Sequence, residues 1–85
     1  MNINEMTKEQ LTEEIVAIIE ERLGVAADDV TPEKRLTNDL GADSLDSVEL
    51  IMSIEQKFGI SIPESATEEI KTVGDIVAYV EGMKE

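Results

Sequence analysis

Ser44 is the residue of this sequence best placed to do chemistry, because it lies within the segment GADSLDS (residues 41–47) at the predicted start of a helix. A nucleophilic serine needs a base to take its proton, but the chain has no His, and no Lys is a near neighbour of Ser44 in sequence. Ser44 could instead accept a group from another enzyme. A phosphoryl group there would face free backbone N–H groups at the positive end of a helix dipole. A simple N-cap role for this serine remains the alternative.

The acidic residues around Ser44 form a second candidate site, because carboxylates are oxygen ligands of the kind that Ca²⁺ prefers. An EF-hand loop beginning at Asp39 would need Gly at its sixth position and Glu at its twelfth. The sequence has Ser44 and Leu50 there, so no specific metal site is predicted. Loose binding of divalent cations remains open for the cluster of Asp39, Asp43, Asp46 and Glu49.

The charge composition excludes several other functions. Among the 85 residues, seven Lys and Arg against twenty Asp and Glu give a net charge of −13, which repels nucleic acid and anionic lipid headgroups. The absence of His and Cys excludes the usual zinc sites, thiolate chemistry and disulfides. No apolar run approaches the roughly 20 residues of a membrane span, and residues 1–6 do not resemble a signal peptide. We therefore expect a cytoplasmic protein that neither binds nucleic acid nor inserts into membranes.

Three main helices are predicted to position these residues. The first begins at Thr7, where Gln10 completes a capping box, and an apolar residue recurs every three or four positions. The second runs from about residue 44 to 58, and the last begins after Thr72. Pro63 favours a short helical turn through residues 64–70. We expect one all-α domain over residues 1–85, a small helical bundle in which residues 1–6 are frayed.

A long loop, residues 25–43, is predicted between the first two helices. So long a loop usually counts against an assignment in a small domain. Here four apolar residues are spaced through it like anchors, so we expect an ordered loop pinned across the core. A short helix near residues 28–34 is the alternative. The anchors are Val25, Val30, Leu36 and Leu40.

The second helix carries two apolar stripes. At 100° per residue, Leu50, Ile51, Ile54 and Phe58 share one face, which predicts the core side. A separate stripe is flanked by carboxylates, so it either packs beneath the long loop and the short helix or contacts a partner. This second stripe consists of Leu45, Val48 and Met52, with Asp46, Glu49 and Glu55 beside it.

The sequence closely resembles the acyl carrier proteins of dissociated (type II) fatty-acid synthesis. The segment DLGADSLD (residues 39–46) matches the family's attachment motif around its modified serine, and the resemblance covers about residues 7–83. It implies that Ser44 carries 4′-phosphopantetheine in phosphodiester linkage, donated from coenzyme A by a separate holo-synthase. The thiol of this arm would hold growing acyl chains as thioesters, so that a chain without Cys could take part in thiol chemistry.

The resemblance also implies a non-catalytic, monomeric carrier that delivers acyl chains to fatty-acid synthesis enzymes with basic docking patches. The expected partner surface consists of Asp43, Leu45, Asp46, Val48, Glu49, Met52 and Glu55. Asn38 and the pair Gln56-Lys57 stand where relatives commonly carry acids, which thins the negative rim. The alternatives are a carrier of polyketide or aminoacyl groups on the same serine, or an acidic calcium- or protein-binding adaptor without a cofactor.

Overall fold

The structure, a computed structural model, describes residues 3–84. Its helices are α1 (Lys8–Leu23), α2 (Ser44–Phe58), α3 (Glu64–Thr67) and α4 (Val73–Gly82). Single 3₁₀ turns lie at Ile3–Glu5 and Ala27–Asp29. The predicted all-α bundle of three main helices and one short helix, with a long loop between the first two, is confirmed.

Local sequence signals set the ends of the helices. The Thr7 hydroxyl accepts a hydrogen bond from the Gln10 N–H at 3.1 Å, and the Gln10 side chain accepts one from the Thr7 N–H at 2.9 Å, so the predicted capping box of α1 is present. Both α1 and α2 end at a glycine in the left-handed conformation. The short helix α3 ends at Thr67, earlier than predicted, because the chain must turn before Lys71 to pair with the long loop.

The core is aliphatic and is built from one face each of α1, α2 and α4. The predicted core face of α2 is buried, as are the central residues of the α1 stripe. Each fully buried Leu, Ile or Val contributes about 1.5–3 kcal/mol relative to an exposed one, so these helices are held together mainly by this layer. Its members are Leu11, Ile15, Ile19, Leu50, Ile51, Ile54, Phe58, Val73, Ile76, Val77 and Val80.

The amino-terminal segment differs from the frayed conformation expected for residues 1–6. Ile3 and Met6 retain only 7% and 5% exposure and belong to the core, and the Met6 N–H donates to the Ile3 carbonyl at 3.1 Å. Burial of these two apolar side chains holds residues 3–6 in place. Residues 1 and 2 lie outside the described residues.

The long loop is pinned to the core, as predicted. Val30, Leu36 and Leu40 are buried, and Val25 packs against the core from a half-buried position. Where the alternative placed a short helix near residues 28–34, the structure has a single 3₁₀ turn, at Ala27–Asp29.

Backbone hydrogen bonds join this loop to the segment before α4. The Leu36 N–H donates to the Lys71 carbonyl and the Val73 N–H to the Lys34 carbonyl, both at 3.0 Å. Thr72 caps α4, and the Asp75 carboxylate accepts hydrogen bonds from the N–H groups of Lys71 and Thr72 at 3.0 and 3.1 Å. These bonds hold the pKa of Asp75 below its usual value. The loop that leads to Ser44 is therefore hydrogen-bonded to the segment before α4 as well as packed on the core.

Candidate functional site

Ser44 is the first residue of α2, and its neighbour Asp43 provides the N-cap of this helix. The Asp43 carboxylate accepts a hydrogen bond from the Asp46 N–H at 2.8 Å, and the Asp46 carboxylate accepts one from the Asp43 N–H at 3.2 Å. The N-cap interpretation of Ser44 is therefore wrong, since Asp43 does that work. Within residues 3–84, the Ser44 hydroxyl forms no hydrogen bond, and the residue is exposed.

The turn before α2 sets the direction in which Ser44 is presented. Gly41 has a φ of 75°, a conformation that a side chain would strain. The next residue, Ala42, is buried, and its N–H donates to the Leu36 carbonyl at 2.8 Å. The start of α2 is thus tied to the long loop, and Ser44 is exposed directly after this fixed turn.

The surroundings of Ser44 suit the attachment of an anionic group to its hydroxyl. The N–H groups of Ser44 and Leu45 lie in the first turn of α2 and, in the described part of the chain, form no hydrogen bond. They could donate to a phosphodiester attached to the Ser44 Oγ atom, which fits the chemistry of the expected prosthetic group. No His is present in the sequence to activate the hydroxyl, so the base must come from elsewhere.

The second apolar stripe is exposed rather than packed beneath the loop or α3. Leu45, Val48 and Met52 are 64%, 55% and 51% exposed. The interpretation that they pack inside the domain is therefore wrong. Because a small domain gains stability by burying such residues, a stripe left exposed along one helix is typical of a contact surface.

The carboxylates beside this stripe do not all have the same environment. Asp43 and Glu49 are exposed, whereas Asp46 is half-buried and engaged with Asp43. The half-buried Glu55 carboxylate accepts a hydrogen bond from the Ile62 N–H at 2.7 Å, a contact that the sequence pattern did not indicate. Glu55 therefore also fixes the connector between α2 and α3, and a substitution there would alter more than surface charge.

Lys57, which stands near the end of α2 where relatives commonly carry an acid, forms an ion pair with another helix. The Lys57 ammonium lies 3.3 Å from the Glu14 carboxylate of α1, so it joins the two helices. This basic residue adds a link between helices where an acid would only add charge. A partly exposed pair at the surface contributes about 0–1 kcal/mol.

A cavity of about 580 Å³ lies between α2, α3 and the end of the long loop, and Ser44 stands at its edge. Most of the surface it exposes is apolar, which suits an aliphatic chain, although the carboxylate residues Glu55, Glu64 and Glu68 also line it. The apolar lining residues are Leu36, Val48, Ile51, Met52, Ile62 and Ile70.

Residues 3–84 contain no metal-binding cluster of acidic side chains and no membrane-spanning helix. No group of three or more acidic side chains there is arranged to hold a metal ion, so the cluster of Asp39, Asp43, Asp46 and Glu49 does not converge on one point. Over the same residues, no helix combines the length and apolarity that crossing a membrane requires.

A small helical bundle that presents a free serine at a helix start, beside an exposed apolar stripe and a cavity fit for an acyl chain, defines a carrier domain. Comparison with known proteins agrees with this class. The family described as a phosphopantetheine attachment site matches residues 13–80. Acyl carrier proteins of Helicobacter pylori strains G27 and HPAG1 are each 55% identical over 74 residues, 87% of this chain and 95% of theirs.

A solved structure of the acyl carrier protein from Enterococcus faecalis, described for its high thermal stability, superposes with a TM-score of 0.78. It is 34% identical, and the alignment covers 91% of this chain and 98% of that one. The chain belongs to the acyl carrier protein family. Proteins of this family are carriers with covalently attached 4′-phosphopantetheine, and the expected acyl-carrier function and prosthetic group are confirmed at that level.

Proposed function

We propose that the Ser44 Oγ atom is the attachment point of the 4′-phosphopantetheine arm. The observation that carries this proposal lies at the start of α2: Asp43 caps the helix, and the Ser44 hydroxyl is exposed and forms no hydrogen bond within residues 3–84. Ser44 also lies within the span matched by the attachment-site family. When bound, the arm supplies a thiol on which acyl groups are held as thioesters.

The chain itself acts in this reaction as an acceptor. Ser44 supplies the hydroxyl, and the N–H groups of Ser44 and Leu45 can donate hydrogen bonds to the phosphodiester formed on it. The proton of the hydroxyl must leave to a base on a second protein, the holo-synthase, because the sequence offers no imidazole. Coenzyme A is the donor: the Ser44 Oγ–P bond forms as the P–O bond of its pyrophosphate breaks, and adenosine 3′,5′-bisphosphate leaves. The chain is the acceptor of this group and not itself an enzyme.

We infer that the exposed stripe and its acids form the surface that partner enzymes contact. The apolar centre is small, and the domain's charge of −13 would steer it toward basic patches. Such a surface suits fast, weak encounters, since charge raises the association rate while a small apolar contact limits the lifetime of the complex. The proposed members are Asp43, Leu45, Asp46, Val48, Glu49, Met52 and Glu55.

We further propose that the cargo is a growing acyl chain delivered to fatty-acid synthesis enzymes, and that the cavity between α2 and α3 shelters it. The apolar lining and the position of Ser44 at the cavity edge support this. A carrier of polyketide or aminoacyl groups would use the same serine and differ in cargo. We expect a single carrier domain that is monomeric and cytoplasmic.

Intact-mass measurement tests the attachment. The wild-type chain, Ser44→Ala and Ser47→Ala are each incubated with coenzyme A and a holo-synthase. Ser47 is the matched control, because it lies one turn further along α2 and is half-buried. Wild type and Ser47→Ala should gain the mass of one phosphopantetheinyl group, and Ser44→Ala should gain none. Modification of Ser44→Ala would contradict the proposal.

A further inference from the structure

Met52 places a thioether on the outer surface of α2. Its side chain belongs to a residue that is 51% exposed, whereas Met6 is 5% exposed and Met83 is half-buried against the core. The sequence contains no Cys, so until an arm is attached the methionines hold the only sulfur atoms of the chain. Among the methionines within residues 3–84, Met52 is therefore the one that a dissolved oxidant reaches most readily.

The position of Met52 connects this sulfur to the proposed function. Met52 lines the cavity of about 580 Å³ and also a smaller groove of about 190 Å³, to which α1 contributes Arg22 and α2 contributes Glu49. It is also one of the three residues of the exposed apolar stripe. A chemical change at the Met52 sulfur would therefore alter the surface that is offered to partner enzymes.

The charge around Met52 favours an uncharged oxidant. Glu49 lines the groove beside Met52, and Glu55 lines the cavity beside it. With a net charge of −13, the domain repels anionic oxidants. Hydrogen peroxide is small and uncharged at pH 7, so this field does not exclude it.

We propose that the Met52 Sδ atom is a site of reversible oxidation by a peroxide, and that the resulting sulfoxide weakens the docking of partner enzymes. This inference rests on the proposed partner surface. The sulfur lone pair attacks one oxygen of the peroxide, so an S–O bond forms as the O–O bond breaks. The sulfur is oxidised to the sulfoxide, and the other oxygen leaves as water with both protons of hydrogen peroxide. Methionine sulfoxide reductases reverse this change.

The sulfoxide changes an apolar contact into a polar one. A partner that covers Met52 must remove water from the new oxygen, and the side chains of Leu45 and Val48 in the same stripe have no hydrogen-bond donor to replace it. The fold itself depends little on this side chain, because about half of the residue is already in contact with water. Oxidation should therefore affect docking much more than stability.

The test oxidises the chain before any arm is attached. Wild type, Met52→Leu and Met83→Leu are treated with hydrogen peroxide at pH 7, and catalase then removes the excess. Met52→Leu keeps an apolar side chain of similar size without sulfur, and Met83→Leu makes the same replacement at the half-buried methionine. Peptide mass mapping locates the sulfoxides, and kcat/KM for loading is measured with coenzyme A and an untreated holo-synthase.

Met52 should form its sulfoxide before Met6 and Met83. Peroxide should then lower kcat/KM for loading by roughly 5- to 20-fold in wild type and Met83→Leu, with nearly unchanged Tm. Loading of Met52→Leu should not respond to peroxide. Treatment with the two methionine sulfoxide reductases, one for each sulfoxide epimer, should restore the wild-type rate.

Oxidation of Met52 no faster than that of Met83 would overturn the modification site, and an equal loss of loading in Met52→Leu would place the cause elsewhere. An untreated Met52→Gln variant, which carries a neutral polar side chain, separates the remaining outcomes. If Met52→Gln loads slowly but the sulfoxide does not, the partner surface stands and the effect of oxidation is refuted. If both load at the wild-type rate, Met52 does not belong to the partner surface. An untreated wild-type chain that gains no arm contradicts the proposed attachment at Ser44, independently of peroxide.

Discussion

Replacement of Asp43 should destabilise the domain far more than replacement of Ser44, although the two residues are adjacent. In Asp43→Ala the Asp46 N–H loses its partner at 2.8 Å, and the reciprocal bond to the Asp43 N–H loses its support. Loss of an N-cap costs about 1 kcal/mol, within a range of about 0.5–2 kcal/mol. For a domain of this size, about 1 kcal/mol corresponds to a decrease of roughly 4–8 °C in Tm.

Ser44→Ala removes a hydroxyl that forms no hydrogen bond in the described chain, so its effect should stay within about 0.5 kcal/mol, or roughly 2–4 °C. Asp43→Asn is the matched control for Asp43→Ala. Both variants remove the same negative charge near the helix dipole, but Asn still caps, so the difference between them isolates the cap.

Thermal unfolding followed by circular dichroism at pH 7 measures all three variants. We expect Ser44→Ala to melt near wild type, Asp43→Asn slightly below it, and Asp43→Ala several degrees below Asp43→Asn. If Ser44→Ala melted as low as Asp43→Ala, the serine would be the true cap and the argument for its free hydroxyl would be refuted.

Three further predictions follow from the same geometry. Glu49→Lys should slow loading by the holo-synthase while leaving Tm nearly unchanged, and the difference in loading rate from wild type should shrink as salt rises. Equal loading rates of wild type and Glu49→Lys at low salt would remove this exposed acid from the partner surface. Glu55→Ala should lower the free energy of unfolding in denaturant by about 1–3 kcal/mol, because the Ile62 N–H loses its partner. Glu55→Gln should retain most of the stability, and equal losses in the two variants would contradict this hydrogen bond. Because the pKa of Asp75 is lowered in the folded state, the Asp75 carboxylate stabilises the fold above the pKa of the unfolded chain, and this stabilisation is lost as pH falls through the folded value. Acid unfolding below about pH 4 should therefore be shallower in Asp75→Asn. An unchanged acid profile would count against the bonds from Lys71 and Thr72.

The parts of the fold that could be predicted from sequence depend on residues close together in the chain. The capping box at Thr7 involves a residue three positions on, so the sequence displays it directly. The core face of α2 likewise follows from a periodicity of 3.6 residues. The burial of Ile3 and Met6 could not be predicted in this way, because it depends on where a short terminal segment meets the folded core.

In the candidate site, too, features set by neighbouring residues could be predicted, and features set by distant contacts could not. The attachment motif singled out Ser44, but Asp43 and Ser44 are both good cap residues, so the pattern alone could not say which one caps α2. The Glu55–Ile62 hydrogen bond spans seven residues and a change of direction. The pairing of Lys71 with Leu36 joins segments 35 positions apart, so it forms only once the loop has packed.

Fragmentation mass spectrometry of the acyl-loaded chain shows which residue carries the arm and where the acyl group is held, because the sequence contains no Cys on which a thioester could otherwise form. Attachment at the Ser44 Oγ atom predicts one acyl-phosphopantetheinyl group, on that residue. Neutral hydroxylamine should remove the acyl group and leave the arm in place, as expected for a thioester on the arm's own sulfur. An acyl group found on another residue, or an arm found anywhere but on Ser44, would contradict it.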